Sequence, residues 1–252
     1  MELLDLQQRL LAQRDDPRSR VIQAAAELFT THGYAGTSTD AIARAAGLKP
    51  AALYRLFESK EDILYVFLER NYEVFLEAME EALGDETDPV TCLVRLAWTH
   101  TWVQLSVANI GEAQVRWVFS LNQLLESLSE ERARRLRKLG RTHLDNCRRI
   151  IEAGIRDGRF QVPDASTAAL AITTMCEYTP MWFRPNHILT AEEVADRNAF
   201  YALRIVAPGL DDLAGLVARA TERPPIQDIP AQHTNRGDAA ILTGGDDVHQ
   251  GT

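Results

Sequence analysis

The sequence predicts an all-α chain. Apolar residues recur at helical spacing along nearly the whole length, and the β-branched alternation that marks strands is missing. The composition, 46% hydrophobic and 25% charged over 252 residues, is that of an ordinary globular protein with room for one large or two small domains.

Taken in order, Val21, Ala25, Leu28 and Phe29 mark the first amphipathic face. Leu64, Leu68, Phe75, Met79 and Leu83 continue a helical stripe without Gly or Pro, which predicts one long helix over Asp62 to Leu83. Ser59-x-x-Asp62 can close a capping box at its start, and Gly84-Asp85 ends it. Further helices are predicted over Val90 to Val107, Glu112 to Leu128 and Glu130 to Asp157. Asp164 is a good N-cap for a helix running to Phe183, whose last turn Pro180 should bend or shorten. Ala191 to Ala207 and a shorter stretch around Leu210 to Ala220 complete the series. From Thr221 onward Pro, Gly and acidic residues dominate without an aromatic, so residues 221–252 are expected to be a disordered acidic tail.

No run of 18 apolar residues occurs, and the N-terminal segment is acidic and polar where a signal peptide needs a basic end and an apolar run. A cytoplasmic chain with no membrane partner is expected. Cys92, Cys147 and Cys176 are odd in number and far apart, so they suggest neither a disulfide framework nor a zinc site. No metal and no cofactor is expected, and the sequence lacks the G-x-S-x-G, H-E-x-x-H, P-loop and dinucleotide motifs that would argue for an enzyme.

The segment Thr37 to Phe57 is the most informative. Its small residues describe two short helices held close together: Thr37 can cap the first, Ala43 permits close approach, and Ile42 and Leu53 can meet beneath them. Gly47 supplies the turn and Pro50 pre-sets the first position of the second helix. This is a helix-turn-helix, whose second helix fits the major groove of double-stranded DNA. The expected DNA contacts are Thr37, Thr39, Lys49, Pro50, Ala51, Tyr54, Arg55 and Lys60. Arg55 can fork onto a guanine edge, and Lys60 sits at the next helix's N-terminus, where a phosphate is favoured.

The net charge of −9 opposes binding to a polyanion, but it is unevenly spread. Residues 1–60 hold eight Lys and Arg against seven Asp and Glu, so the acidity lies beyond them. One end alone is suited to approach DNA.

The spacing of Ala25-x-x-Leu28-Phe29, Gly33-Tyr34, Thr37-Ser38, Asp40-x-Ile42-Ala43-x-x-Ala46-Gly47, Leu53-Tyr54-x-x-Phe57 and Ser59-Lys60-Glu61-x-x-Leu64 resembles the TetR family of bacterial transcriptional regulators. Two positions depart from the family pattern: Lys49 where Ser or Thr usually caps the recognition helix, and Leu56 where an aromatic or His is frequent. The resemblance implies a three-helix helix-turn-helix head over residues 18–64, preceded by an arm over 1–17. A helical ligand-binding and dimerisation body would follow over 65–220. It further implies a homodimer joined through the last two long helices and a repressor that leaves its operator when a small molecule enters the body.

The effector must be read from residue types. Trp98, Trp102, Trp117, Phe119 and Trp182 could line a pocket, although core packing is the commoner use of such side chains. Tyr178-Thr-Pro-Met-Trp182-Phe-Arg184 and the acidic stretch after it are similar to the bodies of TetR-type regulators of steroid and fatty-acid breakdown, some of which sense acyl-CoA thioesters. Trp102, Trp117, Tyr178, Trp182 and Arg184 are therefore the expected effector contacts, with an acyl-CoA thioester as the candidate. Arg184 serves equally as a partner for Glu192 or Glu193 across a dimer. A ligand-free helical DNA binder and a regulator of efflux sensing an apolar compound are the alternatives. The basic run from Arg132 to Arg141 opposes Leu136, Leu139, Leu144 and Cys147, as a solvated helix face would.

Overall fold

The computed structural model describes residues 16–108, 125–184 and 189–223, and every regular element among them is helical. The expected arm, most of the 112–128 helix, Trp117, Phe119 and the tail from 224 lie outside the described residues.

Three helices build the head. Helix α1, Pro17–Gly36, begins where the Asp16 carboxylate accepts the amides of Arg18 and Ser19, with Pro17 in the first turn, where its missing N–H costs nothing. Gly33, at φ +75°, breaks the helix near its end, a conformation a side chain would strain. Helix α2, Thr39–Ala45, and α3, Pro50–Leu53, follow, joined by Gly47 at φ +69°. Ile42, Ala43 and Leu53 are fully buried together, as their spacing predicts.

Helix α4, Lys60–Leu83, runs from head to body. Ser59 Oγ accepts the Asp62 amide at 3.0 Å, while the Asp62 carboxylate takes the amide of Glu58 at 3.3 Å, one residue further back than a capping box expects. The body adds α5, Pro89–Ala108, α6, Glu130–Arg156, α7, Ala165–Glu177, α8, Ala191–Val206, and α9, Leu213–Thr221. Helix α7 stops short of Phe183 because Pro180 cannot donate a helical hydrogen bond and disfavours helical backbone at Thr179. A single 3-10 turn, Thr179–Met181, takes its place.

Helix α5 is the hub, packing against α4, α6, α7, α8 and α9. Its Leu93, Val94, Leu96 and Ala97 are fully buried with Cys147, Ile172 and Leu203. The buried Asp196 of α8 accepts Trp98 Nε1 at 2.8 Å and Arg223 Nε at 3.1 Å, so the buried charge is paired and residue 223 is tied to the body.

The head's core is not closed by the head alone. Val21, Phe29, Ile42, Leu53 and Leu64 share one apolar cluster with Leu125, Leu128, Ala133 and Leu136, from the start of α6 and the residues before it. The basic run on α6 is mostly solvated, as its pattern predicts: Arg134, Arg135, Arg137, Lys138 and Arg141 are exposed and Arg132 is half-buried. Arg132 pairs with Asp62 at 2.8 Å and Arg135 with Glu69 at 2.9 Å, both across to α4.

Candidate functional site

The first candidate surface is the outer face of α2 and α3. Lys49, Pro50, Ala51, Tyr54 and Arg55 line it, and the Thr39 hydroxyl lies 2.9 Å from the Tyr54 phenol. Lys49 is the N-cap of α3 by backbone alone, with no side-chain cap bond, so its ammonium stays on the surface. Tyr54, 53% exposed, is a large apolar-bodied side chain with no core to fill. A flat ring, a guanidinium and an ammonium on one short helix match the grip a major groove requires.

Two expected contacts belong elsewhere. Thr37 neither caps α2 nor reaches the surface: Ser38 Oγ accepts the Ala41 amide, and the buried Thr37 hydroxyl donates to the carbonyls of Gly33 at 2.8 Å and Leu28 at 3.2 Å. Two adjacent hydroxyl residues compete for the cap, and the one beneath the end of α1 is taken by the free carbonyls there. Lys60 is likewise engaged. Its Nζ donates to Tyr34 O at 2.8 Å and Thr37 O at 2.9 Å and lies 4.3 Å from the Tyr34 ring centre. Partial burial lowers its pKa from the usual lysine range. It ties α4 to the α1–α2 corner, and two of its three ammonium protons are engaged there.

The second candidate is a cavity of about 250 Å³ between α4, α5, α6 and α7. Tyr72 and Phe75 come from α4, His100 from α5, Gly140 and His143 from α6, and Glu177 from α7. Gly140 faces the Tyr72 phenol, where an added Cβ would stand 3.5 Å from the ring and its oxygen. The polar groups form a chain: Gln104 Nε2 and His100 Nε2 meet Glu177 Oε2 at 2.7 and 3.0 Å, and His143 Nε2 lies 3.0 Å from His100 Nδ1. Burial, then the neighbouring His100 ring, hold the His143 pKa well below the imidazole range. Burial, reinforced by the Glu177 charge, pushes the Tyr72 phenol up to about 12. Among the described residues no group of three or more His, Cys, Asp or Glu could hold a metal ion.

Of the five expected effector contacts, only Tyr178 lines this cavity. Trp102 is 1% exposed, stacked on Trp98 with 6.1 Å between ring centres, and packed on Met79 and Ala195, so it belongs to the core. Trp182 is 57% exposed on the surface. The Arg184 guanidinium donates to the carbonyls of Met181 and Phe183 at 3.3 and 3.0 Å, closing the turn after α7. Glu193, weighed as its partner, instead completes a capping box with Thr190. Trp117 lies outside the described residues.

Sequence reasoning missed His100, His143 and Glu177. One signal was available: His143 sits in the buried stripe between Leu136 and Cys147, where an imidazole must find partners.

Large apolar side chains are exposed at seven described positions. Five of them, Leu170, Tyr178, Trp182, Tyr201 and Ile205, lie on α7, the turn after it and α8. No described helix is long and apolar enough to cross a membrane.

Two family models match the chain. One, described as bacterial regulatory proteins of the tetR family, covers residues 21–65, and the other, the tetracyclin repressor-like C-terminal domain, covers residues 96–206. The HTH-type transcriptional repressor KstR2 of Rhodococcus jostii (strain RHA1) is 27% identical over 77% of this chain and 90% of its own length. Among solved structures, the TetR family transcriptional regulator PfmR of Thermus thermophilus is 34% identical, with a TM-score of 0.63, covering 73% of this chain and 97% of that one. AibR, solved in complex with isovaleryl coenzyme A and operator DNA, is 22% identical with a TM-score of 0.64, over 74% of this chain and 97% of its own; at that identity the likeness is one of fold.

Proposed function

The chain belongs to the TetR family of bacterial transcriptional repressors, and from that premise we propose that it works as a homodimer released from its operator by a small molecule in the α4–α7 cavity. One observation carries this reading: two helices that wall the cavity also end in the head. Helix α4 bears Lys60 at the α1–α2 corner and Tyr72 at the cavity, roughly 18 Å apart at ~1.5 Å per helical residue. Helix α6 contributes Ala133 and Leu136 to the head's core and Gly140 and His143 to the cavity. A ligand that repositions either wall therefore changes the angle of α3.

In a dimer, two recognition helices must meet major grooves roughly 34–36 Å apart, so a small change of angle costs operator affinity. The apolar face of α7 and α8 supports pairing with a second copy. The residues for DNA are Thr39, Lys49, Pro50, Ala51, Tyr54 and Arg55, with Lys60 setting the angle of the head.

An acyl-CoA thioester is a second, finer reading of the effector, favoured by the AibR complex with isovaleryl coenzyme A. A cavity of about 250 Å³ suits the acyl part of such a molecule, and its nucleotide would lie outside. The test is fluorescence polarisation on promoter DNA flanking the gene, with and without isovaleryl-CoA and other small molecules. Binding of two chains per operator, reversed by a cavity ligand, is the expected result. Saturable operator binding that no ligand alters would favour a ligand-free DNA binder.

A further inference from the structure

We propose that the cavity selects a small organic cation, a protonated amine on an apolar body, with the ammonium on Glu177. This deepens the reading of the cavity as the effector site and rests on it.

Among the described residues, both hydrogen bonds to the Glu177 carboxylate fall on Oε2, from Gln104 and His100, which aim the group and leave Oε1 uncommitted by them. An ionised carboxylate accepts only, so the neutral His100 ring that fits here carries its proton on Nε2 and presents Nδ1 as an acceptor. His143 Nε2 donates to that Nδ1, and His143 Nδ1 is then a lone pair, buried and without a partner. The open polar positions of the relay are thus acceptors.

Charge points the same way. Among the described residues that line the cavity there is no Lys or Arg, and Glu177 is the one with a formal charge. The Glu177 side chain is 37% exposed, beside the exposed Thr174 and Tyr178, so that charge stands at the mouth and not in the depth. An ammonium there keeps part of its hydration while its apolar body reaches toward Phe75 and Leu144. Tyr72, Phe75 and Tyr178 supply aromatic rings, whose faces attract a cation. An anionic head meets a like charge at the mouth, and a ligand with acceptors alone finds no donor from the Glu177–His100–His143 relay.

The experiment uses the full-length protein and three probes on one carbon skeleton: 2-phenylethylamine, 2-phenylethanol and phenylacetate, with isovaleryl-CoA as a fourth. Binding is followed by calorimetry and by ligand-observed NMR, independently of DNA. The amine is expected to bind at least tenfold more tightly than the alcohol, with no binding of phenylacetate. Glu177→Gln, which keeps an oxygen for His100 and Gln104, should bring the amine down to the level of the alcohol. Equal binding of the three, a preference for phenylacetate or isovaleryl-CoA, no binding of the amine, or an amine preference that survives in Glu177→Gln would each overturn the proposal. Polarisation on operator DNA is read separately: an amine that binds as expected without loosening DNA supports the amine site and removes its role as an effector site.

Discussion

The Thr39 hydroxyl and the Tyr54 phenol meet at 2.9 Å, joining the first residue of α2 to the residue that ends α3. The bond spans the gap between the two helices on the face proposed for DNA, so it holds the Tyr54 ring in place without a ligand. Tyr54→Phe should weaken binding to every operator sequence by about fivefold, on the order of 1 kcal/mol for one hydrogen bond. Arg55→Ala should also relax base preference at one position. Polarisation across a set of single-base operator variants separates the two; a change of base preference in Tyr54→Phe would refute this division of roles.

Lys60→Met removes two charge-assisted bonds to the α1–α2 corner. Such bonds are worth roughly 1.5–3 kcal/mol, partly offset here by the remaining exposure of the side chain. A fall of several degrees in Tm is expected. An unchanged Tm with weaker DNA binding would return Lys60 to the role of a simple phosphate contact.

Arg132 is one of the polar links between the two walls of the cavity, at the end nearer the head. Its guanidinium pairs with Asp62 at 2.8 Å, and next to it the Ser129 amide donates to Glu61 at 2.9 Å. Arg132→Leu should leave ligand-free operator affinity within about twofold while cutting the ligand's effect on it severalfold, about 1 kcal/mol of coupling. Measuring operator affinity with and without ligand in both proteins checks this, and an undiminished ligand effect would remove Arg132 from the coupling.

Two glycines of α6 should respond to alanine with opposite signs. At Gly140 the new methyl meets the Tyr72 ring at ordinary contact distance, so helix propensity should raise stability by about 0.8–1 kcal/mol while the cavity narrows and ligand binding weakens. At Gly154 the methyl would overlap the buried Phe160 ring, and displacing that ring should cost about 3 kcal/mol. Thermal melts of the two variants give the signs directly.

The His143 pKa is depressed in the folded chain, so the folded state refuses a proton that the unfolded state accepts below about pH 6.5. The stabilising contribution is complete above that pH and is lost as pH falls. Its slope is at most about 1.4 kcal/mol per pH unit. Urea denaturation at pH 7.5 and 5.5 should show His143→Gln losing less stability than the parent over this interval. Parallel losses in the two proteins would mean that another group carries the acid sensitivity.

The head was legible in the sequence because its constraints are local. Gly47 at positive φ, Pro50 in the first turn of α3, and Ile42 with Leu53 beneath them are each fixed by residues close by in the chain. Backbone sterics at Pro180 announce a shortened last turn for α7, but the spacing carries the helix to Phe183 and it ends at Glu177. Partnerships across the chain did not follow. His100 and Glu177 are 77 residues apart, Lys60 and Tyr34 are 26, and no periodicity announces either pair. The tryptophans illustrate the same limit, since Trp102 and Trp182 read alike in the sequence yet lie at 1% and 57% exposure. Only the packing of α5 against its neighbours decides which is core.

The closure of the head's core by Leu125, Leu128, Ala133 and Leu136 sets a limit on modularity. Residues distant in sequence supply part of one apolar interior, so the recognition helices cannot be excised at the end of α4 without opening that interior to water. A graft of this head onto another body must bring its own 125–136 segment or find an equivalent. The same seam couples inheritance: a substitution in the floor of the head and one at the start of α6 fall within one packing problem, and the two are expected to change together.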